Sequence, residues 1–473
     1  MKHYDILVIG SGPAGQKAAV QAAKAGRKVA ICEQLREVGG ACVHHGTIPS
    51  KALRERAVEE FRVLERLKAL GSEHEIPNVG LAALIGEMGE VVKAHDRYMA
   101  EQLRRNRIDV IHGRASFETD AILNVRYTNG KTEQFTADYF VIASGSKPRK
   151  LDNVPVDHEY IFDSDSILSL AYLPESMVVL GGGVIACEYA SVFALLGVQV
   201  TLIDRFELPM GFLDSDLTDR FIASFSNRGG KFVGNTEIRE VRFDGIAQVE
   251  TELIDGTIIR SEKVLCALGR VSQLSGLKVE NAGLKVNERQ LIEVDKMGKT
   301  AVPHIYAAGD VIGPPSLASA SMEQGRRAAC DILGLNPGRQ GDWIPTGIYA
   351  VPELACVGVS EVAARETFDE IVVGYAHFKE IARGHIAHSQ EGMLKLVVSG
   401  DRMIRGVHIV GEQATELIHI GQMGLIQGAT VDTFVENVFN FPTYAESYRV
   451  AALSAAAQLA QGSRDTVKVA SRS

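Results

Sequence analysis

One pattern in this chain occurs twice, and it constrains the fold more than any other feature. The segment DILVIGSGPAGQKAAVQAAKAGRKVAICE (5–33) is matched in outline by MVVLGGGVIACEYASVFALLGVQVTLID (177–204). In the first, an apolar run ends at Ile9, and Gly10, Gly12 and Gly15 follow as G-x-G-x-x-G. Pro13 and Ala14 open a helix of small residues, and a second apolar run ends at Glu33. In the second, Gly181, Gly183 and Ala186 give G-x-G-x-x-A, and the run ends at Asp204. Gly10 to Glu33 is 23 residues, and Gly181 to Asp204 is again 23. Each part has a physical job. The glycines permit the tight turn, let backbone approach a pyrophosphate and bring helix close to sheet. The helix N-terminus offers free N–H groups and a positive dipole end to phosphate. The acid is placed to accept from a ribose hydroxyl. Strand, turn, helix and acid together predict a dinucleotide site, and the shared register predicts two per chain.

With 473 residues there is room for about three domains. Charge is 50 Lys+Arg against 59 Asp+Glu, a net −9 whose field repels phosphate, so neither nucleic acid nor an anionic membrane is an expected partner. No apolar run reaches the ~18 residues needed to span a bilayer. Cysteines stand at 32, 42, 187, 266, 330 and 356, with no CxxC and no His/Cys cluster at zinc spacing. That pattern suits a reducing cytosol and predicts no metal site. Met1 leads straight into DILVIG, so no signal peptide is expected and the expected location is cytoplasmic. Residues 139–149 (YFVIASGSKPR) read as a strand entering a glycine turn, and 88–106 as an amphipathic helix before a strand near 108–111. Another strand ends at Gly309-Asp310 and leads into a helix. Beyond about 345 come strand-like runs (394–398, 406–410) with helices at 413–427 and 444–460, then a polar last dozen residues read as frayed.

Seven segments together resemble the FAD- and pyridine-nucleotide-dependent disulfide oxidoreductases, the class of dihydrolipoamide dehydrogenase, glutathione reductase and mercuric reductase. They are GSGPAG (10–15), GGACVHHGTIPSK (39–51), ASGSKP (143–148), GGGVIACEYA (181–190), ALGR (267–270), AAGD (307–310) and FPTYAES (441–447). The resemblance covers the chain to about residue 460. It implies an α/β fold with two Rossmann-like domains, for FAD and for NAD(P), plus a C-terminal α+β dimerisation domain. The expected division is 1–150 with 275–340 for FAD, 151–274 for NAD(P), and 341–473 for a homodimer or higher homo-oligomer interface. FAD is then the cofactor, with NAD(H) and NADP(H) as substrates. Glu33 would bind the adenosine ribose of FAD and Asp310 its ribityl chain. Gly40, Cys42, Ser144, Gly145, Gly269, Arg270 and Gly309 belong to the matching cofactor segments. Lys51 would lie by the flavin, paired with Glu188 across the nicotinamide stacking site. A lysine in the first turn of a helix opposes the helix dipole, so Lys51 calls for a partner or ligand.

Two positions depart from the family pattern. The redox-active disulfide needs two cysteines five apart; Cys42 matches the first, but Thr47 stands at the second. The C-terminal His-Pro-x-x-x-Glu segment reads Phe441-Pro442 here, with Glu446 retained, and phenylalanine cannot act as a base. Thiol and proton acceptor are lost together, so electrons are expected to stop at the flavin. Cys42 reads as an inert packing residue or as a single reactive thiol. Both departures are shared by one branch of the family, the soluble, energy-independent, Si-specific pyridine nucleotide transhydrogenases. Residues 42–54 resemble that branch, as do FDSDSIL (162–168), PSLASA (315–320), IPTGIY (344–349) and ESYRVAAL (446–453). The resemblance implies ping-pong hydride transfer between NADPH and NAD⁺ through the flavin, with Lys51, Glu188 and Thr47 around the reacting ring. An NAD(P)H diaphorase passing electrons to a quinone is the alternative, and a non-catalytic nucleotide sensor a further one. Asp204 favours the 2′-hydroxyl of NAD over a 2′-phosphate, whereas Arg205 next to it either meets that phosphate or is solvated.

Overall fold

A computed structural model of the chain describes residues 1–70, 81–339 and 341–470. The chain divides into two compact units, Met1–Leu173 with Leu265–Gln340, and Pro174–Val264 with Gly341–Ser473.

In the first unit, the two apolar runs of the first repeat become parallel strands Lys2–Ile9 and Val29–Glu33, in the register Ile6 to Val29 through Ile9 to Cys32. Strands Asp109–His112, Val29–Glu33, Lys2–Ile9, Thr132–Ile142 and Ile305–Ala307 lie side by side, all parallel. Such a sheet is buried on both faces. Accordingly, Leu7 and Ile9 join one core cluster with Phe117 and Phe140, while Ile6 and Val8 join another with Ala14 and Ala18. Thr132–Ile142 extends beyond the parallel part into an antiparallel meander with Ile122–Arg126 and Arg114–Phe117. Helix Pro13–Lys24 begins with proline, whose missing N–H is no loss there. It packs on helix Ala318–Ile332 at backbone distance: a Cβ on Gly325 would stand 2.0 Å from the Ala14 carbonyl oxygen. The helix expected over 88–106 is longer, Leu81–Arg105, and the strand after it is Asp109–His112.

The second unit repeats the plan with strands Ser176–Leu180, Gln199–Ile203 and Lys231–Val233, parallel and adjacent, and with Lys263–Cys266 on the other side of the first. A three-stranded antiparallel sheet, Ile238–Phe243, Val249–Leu253 and Ile258–Ser261, is appended. From residue 346 the pattern changes to a five-stranded antiparallel sheet. Its order is Thr346–Ile348, Leu354–Gly358, Ile404–Val410, Met393–Ser399 and Ile371–His377. Helices Ala414–Ile426 and Glu446–Ala470 pack on it around Phe378, Tyr444 and Tyr448. The last helix runs through most of the tail expected to fray. The helix runs through Gly462, a poor helix former, but contains no proline, and extending an established helix costs less than starting one. Among the described residues no helix is long and apolar enough to cross a membrane.

Candidate active site

The first glycine turn is tight because its atoms leave no alternative. A Cβ on Gly10 would meet the Ala143 carbonyl oxygen at 2.3 Å, and one on Gly15 the Gly10 oxygen at 2.0 Å. Gly10 also takes φ +103°, which disfavours any other residue. Gly12 differs: a Cβ there would meet nothing within 4 Å. It is the N-cap of helix Pro13–Lys24 and has no side-chain cap, so the first N–H groups of the helix, from Ala14 onward, face that open space. Gly40 comes close from the other side, its Cβ position 3.0 Å from the Gly12 Cα. Glu33 ends its strand 6% exposed. Its Oε2 accepts from the Ser11 N–H (2.9 Å) and hydroxyl (2.6 Å), and its Oε1 from the Leu35 N–H (3.0 Å). Ser11 Oγ in turn accepts from the Gly39 N–H (3.0 Å), so one hydroxyl ties the fingerprint turn to the segment that carries Cys42.

Cys42 lies in helix Gly40–His44, and Thr47 opens the next helix, Thr47–Ala69, with Lys51 one turn in. Burial pushes the Cys42 thiol up from its ordinary pKa, against weaker opposing effects of a hydrogen bond with Thr47 and the charge of Lys51. All six cysteines are free. Lys51 is half-buried and donates to Ser50 Oγ at 3.3 Å.

Asp310 follows Gly309, whose φ of +84° turns the chain at the end of strand Ile305–Ala307. Its Oδ2 accepts from Ser146 Oγ at 2.6 Å. Arg270 holds Ser146 in place through Nε to Oγ (2.9 Å) and a second nitrogen to the carbonyl (2.9 Å). Its remaining nitrogen reaches Ser164 Oγ (3.0 Å) and Asp165 (2.6 Å). Arg270 therefore meets Asp310 through Ser146. Among the described residues, Ser144 Oγ is buried with no hydrogen-bond partner. Gly145 and Gly269 take φ +71° and +101° with open space at their Cβ positions.

In the second unit, Gly183 caps helix Val184–Leu195 without a side chain and faces open space, as Gly12 does. Ala186 is fully buried where the first repeat has Gly15. Asp204 lies over the turn: a Cβ on Gly182 would be 2.1 Å from its Oδ2. Its Oδ1 accepts from the N–H of Arg205 at 2.7 Å. Arg205 is exposed, with its guanidinium 4.7 Å from the centre of the Phe206 ring. Glu188 is buried within the helix, and its Oε1 accepts from the Tyr349 N–H at 2.9 Å. Phe441 is 69% exposed, and Glu446 accepts from the Thr443 N–H at 3.3 Å.

Sequence reasoning named the glycines and acids here but gave no role to Ser11, Ser146, Asp165, Ser191 or Tyr349. Ser11 carried a signal, a hydroxyl inside G-x-G. Each of the others has a partner more than a hundred residues away, which no spacing reveals.

Two parallel-sheet halves, each with an uncapped helix N-terminus beyond a glycine turn, define a two-dinucleotide oxidoreductase. The pyridine nucleotide-disulphide oxidoreductase model matches residues 4–325, and that family's dimerisation domain matches 344–452. The chain belongs to this family, whose members are flavoproteins that carry FAD and react with NAD(P)H. It is 42% identical over 459 residues to the soluble pyridine nucleotide transhydrogenase of Pseudomonas entomophila, covering 95% of this chain and 97% of that one. To the protein of the same name from Pseudomonas putida it is 41% identical over 464 residues, with the same coverage. Among solved structures, the Cu(II) complex of the HOCl-induced flavoprotein disulfide reductase RclA from Escherichia coli superposes with a TM-score of 0.87 at 27% identity, covering 96% and 99% of the two chains. LpdA from Mycobacterium tuberculosis gives 0.86 at 26% identity, with the same coverage. The residues present fit FAD. The open space over Gly12, the uncapped helix beside it and the orphaned Ser144 hydroxyl are what a pyrophosphate-bearing ligand would satisfy.

Proposed function

We propose that this chain transfers a hydride between NADPH and NAD⁺ in a ping-pong sequence, without a redox-active disulfide, as a cytoplasmic homodimer. One observation carries the reading: Thr47 stands where the family pattern has its second cysteine, and burial pushes the Cys42 thiol up from its ordinary pKa. A single thiol beside a hydroxyl has no second sulfur with which to form an intrachain disulfide. Phe441 points the same way, since it has no proton to move. Bound FAD supplies the two-electron store between the nucleotides.

The chain's own residues bind and orient. The helix N-termini beyond Gly12 and Gly183 present N–H donors to the two pyrophosphates. Asp310, fixed by Ser146 and Arg270, is proposed to hold the ribityl chain, and Glu33 the adenosine end of the resident cofactor. Lys51 is proposed to serve the flavin with its charge, Glu188 to serve the nicotinamide, and Thr47 to fill space beside the ring. In the proposed division, residues 1–150 and 275–340 bind FAD, 151–274 bind NAD(P), and 341–473 make the dimer.

The test is anaerobic and has two steps. A slight deficit of NADPH should bleach the flavin of the purified protein. Thio-NAD⁺ added next should restore it, with a matching amount of thio-NADH. A second reading, an NADH diaphorase, is favoured by the Asp204 carboxylate over the second turn, with Arg205 stacked on Phe206. Bleaching by NADH alone, reversed only by a quinone, would select it.

A further inference from the structure

The segment IPTGIY (344–349) has no part in the transfer described so far, yet its last residue touches the machinery. Tyr349 donates its backbone N–H to Glu188 Oε1 at 2.9 Å. Two residues on, Val351 donates its N–H to Ser191 Oγ at 3.0 Å, and that hydroxyl donates to the Glu188 carbonyl oxygen at 3.0 Å. The strand Thr346–Ile348 has ended, and the bend that follows brings two N–H groups to residues 188 and 191, which share a helix face because they are three apart. Residues 349–351 therefore dock along one stripe of helix Val184–Leu195, with Ser191 1% and Glu188 6% exposed. Beyond the dock, Thr415 donates its N–H (3.2 Å) and hydroxyl (2.8 Å) to the buried Glu353.

We propose that Ser191 and Tyr349 are positioning residues for Glu188. They set where its carboxylate stands by locking the nucleotide-domain helix to the first segment of the dimerisation region. The inference rests on the reading that Glu188 serves the nicotinamide. A side chain held at one oxygen by a fixed backbone donor keeps one rotamer, and hydride transfer is steeply sensitive to such placement.

The test is a double-mutant cycle on the FAD-loaded protein, reading the rate constant of anaerobic flavin reduction by NADPH. Glu188→Gln keeps an oxygen for the Tyr349 N–H and removes the charge. Ser191→Ala should slow reduction about tenfold with FAD content unchanged, and Ser191→Thr, which keeps a hydroxyl, should recover most of the rate. In the Glu188→Gln background, Ser191→Ala should cost little more, because residues acting through one another are not additive. An equal loss in both backgrounds, or none in either, would overturn the proposal. If Glu188→Gln reduces flavin at the native rate, the reading of Glu188 fails and the inference goes with it. Should Ser191→Ala lose FAD, Ser191→Cys, which keeps the volume and weakens the hydrogen bonds, takes its place in the same cycle. It should give a loss of about threefold, again absent in the Glu188→Gln background, and a native rate would count against the proposal.

Discussion

The two repeats share a spacing and differ in how they close. In the first, Glu33 is buried and accepts three hydrogen bonds from its own turn and the next segment, and Gly15 touches the turn at backbone distance. In the second, Asp204 is half-exposed and bonded to the N–H of the following residue, and Ala186 fits where glycine was needed before. On the proposed reading the first half holds the ligand that stays, and the second, with its acid partly open to solvent, the ligand that enters and leaves in every cycle.

The largest test of that contrast is at the third fingerprint position. Gly15→Ala should yield a protein without flavin, seen as loss of the visible absorbance, because the new methyl would stand 2.0 Å from the Gly10 carbonyl oxygen. Ala186→Gly, the reverse change in the second half, should cost about 1 kcal/mol of stability and leave flavin content native. Equal effects at both positions would erase the difference.

The second unit also contains a buried charge cluster. Lys395, 2% exposed at its side chain, lies 3.0, 2.9 and 2.8 Å from Asp214, Asp216 and Glu361. Lys395→Met strands three carboxylates and should lower stability by about 3–5 kcal/mol in denaturant melts. The cluster also predicts a pH dependence. Against the push of burial, the Glu361 N–H, His408 and Lys395 hold Asp214 below the usual carboxylate range, and Lys395 and Arg365 do the same for Glu361. Their contribution is present above about pH 4 and is lost as pH falls through the depressed values. Burial holds His408 below its ordinary pKa, against the attraction of Asp214 and Asp216 and the Val359 carbonyl, with Lys395 adding to the depression. Here the unfolded chain takes the proton first, so stability should already decline below about pH 6.5. Melts of His408→Gln should lack that upper step.

Glu33→Gln should loosen FAD by about tenfold, measured by cofactor release, since an amide cannot accept at both oxygens as the carboxylate does. The smallest change is expected at the matching acid. Asp204→Asn should raise the NADPH to NADH ratio of kcat/KM by about fivefold, by removing a charge that repels the 2′-phosphate. An unchanged ratio would show that Asp204 does not face the ribose.

Much of this was legible in the sequence because it is local. Strand, turn and helix have fixed rises, so 23 residues between a glycine and an acid place both at one sheet edge whatever surrounds them. The absences were equally plain: Thr47 for a thiol and Phe441 for an imidazole need no coordinates. The length of the helix before Asp109 was not legible: it begins at Leu81, and the buried Leu84 lies upstream of the stripe at 88–106.

By itself, then, the sequence determined two dinucleotide folds in one register and showed Thr47 and Phe441 at the two departures from the family pattern, since both depend on residue type and short spacing. Only the tertiary structure decided that Arg270 reaches Asp310 through Ser146, that Tyr349 fixes Glu188, and that Lys395 gathers carboxylates from two distant segments. Those partners lie from 34 to 181 residues apart. A pair at such separation is chosen by the packing of sheets and helices that carry it, and no periodicity along the chain records that choice.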